Sequence, residues 1–212
     1  MNKFISIVKS SVFKRLIIVL LLLILFIFIS AISYVSAVSN NIANGVFRLH
    51  VIANSDTEED QNLKLKVRDE VISYLQPKLK DSKSIQESEK IILNEEDKLM
   101  DICKETIKEN GYDYDVSINL GYSKFPTKQY SSVVLPAGEY KALKIVIGKG
   151  QGRNWWCVMF PPLCFIDVTK GQVAYDETEK KMKDVLSEEE FKSVNKKENN
   201  VNFEFKVIDL FK

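Results

Sequence analysis

The 212-residue sequence holds one histidine and three cysteines, so imidazole or thiol chemistry has few places to sit. His50 is the only candidate base of its type. In the extended stretch Val46–Ala53 it shares a face with Arg48 and Ile52, opposite Leu49 and Val51. Ser55 and Asp56 follow closely, which brings a hydrolytic triad to mind. Triads are assembled from separated elements, so closeness along the chain is no support, and His50 reads first as a structural or interaction residue. Cys157 and Cys164 either close a disulfide around Pro161-Pro162 or stay as two buried thiols among Trp155, Trp156, Phe160 and Phe165. Cys103 falls at an apolar helix position and reads as core. No thiol has a local histidine partner for nucleophilic work. A single His excludes a His-x-x-x-His metal pair, and no metal or cofactor is expected.

Gly148-x-Gly150-x-Gly152 resembles a phosphate loop only at a glance. No Gly-Lys-Ser/Thr ends it and no helical pattern follows, so the spacing predicts a mobile loop. Arg153-Asn154-Trp155-Trp156 comes next. Neighbouring strand residues face opposite ways, so one tryptophan is exposed, unless one is buried and the other half-buried. An exposed Trp beside Arg suits a protein contact. Acid pairs such as Asp113/Asp115 and Glu188–Glu190 read as solvated faces. Thirty Lys+Arg against 29 Asp+Glu leave no basic excess for nucleic acid.

The elements that must position these residues follow from period and caps. A first strand, Val46–Ala53, meets the cap-rich Asn54-Ser55-Asp56-Thr57. Ser55 with Glu58 fits a capping box for a helix carrying Leu63, Val67, Val71 and Leu75, which Pro77 should stop. Ser84 with Glu87 opens a second helix bearing Ile85, Ile92, Leu99, Cys103 and Ile107, closed by Asn110-Gly111. The period then becomes two over Tyr112–Leu120. Tyr130–Leu135 and Glu139–Ile147, joined by Pro136-Ala137-Gly138, predict a hairpin. A helix over Thr178–Val194 and a closing strand over Val201–Val207 complete an α+β domain, an antiparallel sheet with helices packed on one face.

An N-terminal hydrophobic signal or anchor helix precedes it. Lys3, Lys9, Lys14 and Arg15 are unopposed by acids, and an unbroken apolar run covers Leu16–Ile29, continuing weakly to Val38. A helix apolar all round needs lipid, and the basic flank puts the N-terminus in the cytoplasm. Val35-Ser36-Ala37 carries the small residues a leader peptidase accepts. The chain therefore divides into a signal or anchor over 1–38 and an exported domain over 39–212, with the membrane met through Leu16–Val38.

Two segments carry a family resemblance. One is Phe47–Asp56 (F-R-L-H-V-I-A-N-S-D), extended by Asp60–Lys64 and Val67-Arg68-Asp69. The other runs from Phe125-Pro126-Thr127-Lys128 through Leu135–Tyr140 and Gly148–Gly152 to Asn154-Trp155-Trp156-Cys157 and Phe160–Cys164. They resemble the stage II sporulation protein R family of endospore-forming bacteria. That resemblance implies a non-enzymatic signal, exported across the forespore membrane, that activates a membrane-embedded aspartic protease to process pro-sigma factor E. The expected contact surface is Arg48, His50, Asn54, Ser55, Asp56, Asp60, Arg68 and Asp69, joined by Arg153, Asn154, Trp155 and Trp156. The competing readings are a cell-wall hydrolase built on His50 or Cys157 and a peptidoglycan-binding module with the tryptophans as platform.

Overall fold

The computed structural model describes residues 11–165 and 172–196. The chain divides into two units, Met1–Asn40 and Asn41–Lys212. Helix α1 (Ser11–Asn44) makes up the described part of the first. Every side chain from Leu16 to Ile29 is exposed among the described residues. At 34 residues the helix is about 50 Å long, against about 30 Å of bilayer hydrocarbon. It is long and apolar enough to cross a membrane, and Val35-Ser36-Ala37 lie inside it without a break.

The second unit contains β1 (Phe47–Ile52), α2 (Glu58–Leu79), α3 (Ile85–Asn94) and α4 (Glu96–Glu109). These are followed by β2 (Val116–Phe125), β3 (Lys128–Tyr130), β4 (Val133–Leu135), β5 (Gly138–Ile147) and β6 (Asn154–Phe160). After a 3-10 turn at Leu163–Phe165 come α5 (Gln172–Lys183) and α6 (Glu188–Val194). This is an α+β fold. The main sheet has the order β2-β5-β1-β6, and β3 and β4 form a separate pair. Phe47, Leu49 and Val51 of β1 and Leu143, Ile145 and Ile147 of β5 point to one face. There they pack with Leu63, Val67, Val71 and Leu75 of α2 and with Leu99, Cys103 and Ile107 of α4. The apolar stripes at helical spacing and the alternating strands thus meet in one core. The other face carries Arg48 and His50, as the alternation of β1 requires.

Several local expectations need correction. The sheet is mixed rather than wholly antiparallel, because β1 runs parallel to β5 while β2 and β6 pair antiparallel. Alternation within a strand reveals its faces but not its neighbour. The Tyr130–Leu135/Glu139–Ile147 hairpin does not form. Strands β3 and β4 pair with each other around Ser131-Ser132, and β5 joins the main sheet. Pro136-Ala137 is a connector. Tyr112 and Tyr114 precede the strand, which starts at Val116.

Pro77 lies inside α2, one turn from its end. The missing N–H costs a single bond there, and buried Leu75 and Leu79 hold the last turn down. The cap of α2 is Thr57, whose hydroxyl accepts from the Asp60 N–H. The second helix is two, α3 and α4. At Glu95 the backbone leaves helical geometry, and its carboxylate accepts from Tyr74 and Lys78 of α2, which pins the corner. The Thr178–Val194 helix is likewise split. Ser187 and Glu190 form a capping box that starts α6 afresh. The strand expected over Val201–Val207 lies outside the described residues.

Candidate functional site

The two segments that carry the resemblance are fastened together in space. Asn54 ends β1, and its amide donates to Asp60 Oδ2 at 2.8 Å. Ser55 Oγ donates to the same oxygen at 2.5 Å. From the other side Gln61 Nε2 donates to Ser55 O, and Lys64 Nζ donates to Arg153 O at 3.0 Å. Asp60 is 4% exposed. Burial pushes its pKa up, but the hydrogen bonds from Ser55 and Asn54 outweigh that and hold it below the usual carboxylate value. Lys64 is pulled below the ordinary lysine value by burial first, then by the charges of Arg153 and Arg68.

The glycine loop closes this knot, which overturns the expectation of a mobile loop. Gly148 N donates to Asp115 O, Lys149 N to Asn54 Oδ1 and Gly150 N to Ile147 O. Gln151 N donates to Asn54 O, Gly152 N to Ala53 O and Arg153 N to Asp56 Oδ1. Every backbone N–H from Gly148 to Arg153 is therefore spent within the protein, and none is left to cradle an anion. Gly148 and Gly150 take φ of 55° and 61°, the left-handed region that glycine enters without strain.

On the face away from α2 and α4 a row of rings encloses Arg48. Its guanidinium carbon lies 3.9 Å from the Phe125 ring centroid and 4.6 Å from that of Tyr140. Nη2 donates to the Tyr130 hydroxyl at 2.6 Å, while Nε and Nη1 are buried without a partner. Arg48 is 0% exposed. His50 continues the row, stacked on Trp156 with centroids 3.8 Å apart. Its Nε2 lies 2.8 Å from Asn154 Oδ1. A carbonyl oxygen only accepts, so the proton is on Nε2 and the buried Nδ1 is an unmet acceptor.

Burial lowers the His50 pKa to about 4, against the raising effect of Asn154 and helped by the charges of Lys144 and Arg48. The unfolded chain binds a proton near 6.5 and the folded chain does not, so stability falls as pH drops from about 6.5 toward 4. His50 is the chain's one histidine, so the part of this window above about pH 5 is its own, while lowered carboxylates such as Asp60 and Glu95 join below it. Urea unfolding of the full chain in detergent should show a loss of up to about 2 kcal/mol between pH 7 and pH 5. His50→Gln should flatten it.

Among the described residues no thiol is free beside His50. Cys157 is bonded to Cys164, with Cα atoms 5.9 Å apart, and burial raises the Cys103 thiol to about 12. The bridge closes a short loop, and such a loop contributes at most about 2–3 kcal/mol in the chain-entropy picture. The double Ser variant should fold, with its stability in thermal unfolding lowered by no more than that. A chain that no longer folds would make the bridge obligatory.

Only part of the expected surface is exposed. Arg48, His50 and Asp60 are buried, and Asn54, Ser55 and Trp156 are half-buried. Arg153, Asn154, Asp56 and Asp69 are exposed. Trp155, 36% exposed, lies on the helix side at edge strand β6, and the Arg68 guanidinium lies 4.1 Å from its ring centroid. Trp155, Arg68 and Arg153 thus edge the knot, while Trp156 faces the opposite side with His50. Phe125, Tyr130, Tyr140, Lys64 and Gln61 escape the candidate surface drawn from sequence. A signal for most of them was present, because Phe125, Tyr140, Gln61 and Lys64 belong to the segments that resemble the family.

Residues 43–170 match the family described as Stage II sporulation protein R. A protein of Bacillus subtilis (strain 168) named "Stage II sporulation protein R" is 40% identical over 139 residues. That match covers 66% of this chain and 62% of the relative, less than two thirds of its length. No solved structure matches the chain.

Proposed function

The chain belongs to the stage II sporulation protein R family, and on that premise we propose that it is a non-enzymatic intercellular signal of endospore formation. It is exported across the forespore membrane and activates a membrane-embedded aspartic protease that processes pro-sigma factor E. The observation that carries this reading is the family match, which extends over the knot, the buried row and the Trp155 edge together. Helix α1 supports the export step, as an exposed apolar helix behind Lys14-Arg15. The contact with the protease uses the exposed edge, Trp155 with Arg68 and Arg153, where an aromatic ring lies beside cations at the rim of the fold.

The test is co-expression of the full chain with the protease and pro-sigma factor in a host that does not sporulate. Cleavage by immunoblot should require the chain. Trp155→Ala should reduce cleavage at least tenfold with export and thermal unfolding unchanged. Cleavage that proceeds equally without the chain would remove the activator reading.

A peptidoglycan-binding module is favoured by one observation, the exposed Trp155 beside Asn154. Arg68 already occupies a face of that ring, which leaves a poor stacking platform for a sugar. Pull-down on purified wall material separates the two readings, and retention lost in Trp155→Ala would favour the second.

A further inference from the structure

Arg48 is a fully buried cation with no anion. Among the described residues no carboxylate pairs with it, and Nε and Nη1 have no acceptor. Arginine does not escape this by losing its proton. The rings of Phe125, Tyr140 and Tyr130 screen the charge, and the Tyr130 and Tyr140 hydroxyls favour it, but Nε and Nη1 still meet no acceptor. Unmet polar atoms are rare in protein interiors and ask for a cause. Here they gather: the Ser131 and Ser132 hydroxyls, in the turn that follows Tyr130, and His50 Nδ1, two residues along β1, are also buried without partners.

The cover over Arg48 is the weakest-built part of the sheet system. Tyr130 belongs to β3, three residues paired only with the three of β4, around a turn in which Ser131 takes φ of 57°. A two-stranded pair alone is marginal. This one is held from outside by the Val133–Asn195 bridge and by Lys196 N donating to Ser132 O. We propose that Arg48 is the receiving end of a carboxylate site, roofed by the β3–β4 hairpin, that takes one acidic side chain from a protein partner. One buried positive charge balances one carboxylate, whereas a doubly charged phosphate would overshoot it. Arg48 is wholly covered, so what reaches it when Tyr130 lifts is the tip of a side chain and not an entire molecule. The hydroxyls of Ser131 and Ser132 supply further donors.

That the partner is the protease rests on the function proposed above, while the site itself does not, so the test has two arms. In the first, the full chain with 15N-labelled arginine is held in detergent micelles and titrated with sodium acetate or with sodium chloride at equal concentration. Arg48→Met identifies the Arg48 Nε–H resonance by its loss. Acetate should move that resonance saturably and chloride should not. Tyr130→Phe, which releases Nη2 and loosens the roof, should tighten acetate several-fold. A resonance unmoved by acetate overturns the site, whether it is closed or already filled.

In the second arm, Arg48→Met is co-expressed with the protease and pro-sigma factor. It should unfold at or above the wild-type temperature, since an apolar chain of similar volume relieves the unpaired charge. It should also lose at least nine-tenths of the cleavage. Acetate binding together with full cleavage in Arg48→Met would keep the site and overturn the protease as its source of acid. Cleavage lost only in step with a lowered unfolding temperature would make Arg48 a packing residue and overturn the proposal.

Discussion

Gly152→Ala should unfold or severely weaken the second unit, although one methyl group is all that it adds. A Cβ built at Gly152 would lie 2.1 Å from the Ser55 carbonyl oxygen and 2.6 Å from its carbon. Both are backbone atoms, so no rotamer change relieves the contact. The carbonyl that would have to move also accepts from Gln61 Nε2. Gly152 N donates to Ala53 O and its neighbour Arg153 to Asp56, so separating the loops breaks several bonds of the knot together. Half-buried Asn54 and Ser55 would then lose their hold on buried Asp60.

Overpacking alone costs about 1–3 kcal/mol, and each buried polar group stranded adds about 1 kcal/mol or more. The expected total of about 3 kcal/mol or more lowers Tm by ~10 °C. Gly121→Ala is the control. Its Cβ would meet only the Asn119 side-chain oxygen, at 3.2 Å, and it should unfold within about 2 °C of wild type. Thermal unfolding of both variants in detergent decides the matter. Equal stability of the two would show that the β1–α2 and β5–β6 loops are not fastened as described. Ser55→Gly should not rescue Gly152→Ala, because the obstructing atoms are backbone.

The face assignments were legible in the sequence because they depend on period alone. Arg48 and His50 fall opposite Leu49 and Val51 for no reason beyond the two-residue repeat of a strand, and the core side of α2 is spelled by Leu63, Val67, Val71 and Leu75. Pairing was not legible. The choice between Tyr130–Leu135 and Val116–Phe125 as the neighbour of β5 depends on long-range register. A Pro-Ala-Gly connector gives a local signal that points the wrong way.

At the site, residue types predicted a polar surface at the end of β1 and a flexible glycine loop beside it. What changed the picture was mutual satisfaction. Asn54, Ser55, Asp56 and Asp60 have the chemistry to bind a partner, but Asn54 and Asp56 use it on Gly148–Arg153 and Ser55 and Asp60 on the turn they share with Asn54. Sequence shows donors and acceptors but not that each has already been met. The aromatic roof over Arg48 is assembled from β2, β3 and β5, three elements whose meeting no local pattern announces.

On the function proposed above, deleting residues 1–37 should abolish signalling outright, and replacing them with an unrelated cleavable leader should restore it in full. The apolar side chains of Leu16–Ile29 are exposed among the described residues, as those of an unrelated leader would be. Their length and the preceding Lys14-Arg15 suffice to direct insertion with the N-terminus inside. The family match begins at residue 43, and the second unit begins at Asn41. The junction matters, because Ile42 is 2% exposed and a Cβ at Gly45 would lie 3.4 Å from Leu186. A graft that ends at residue 37 leaves both in place. The expected immunoblot shows no pro-sigma cleavage for the deletion, with the chain retained in the cytoplasm. For the swap it shows wild-type cleavage with the chain outside. A swapped chain that is exported at normal level, folds normally and stays silent would mean that α1 itself takes part in activation. The signal would then have to act while tethered, within reach of the membrane, and contacts along Leu16–Val38 would join the Trp155 edge as candidates for recognition.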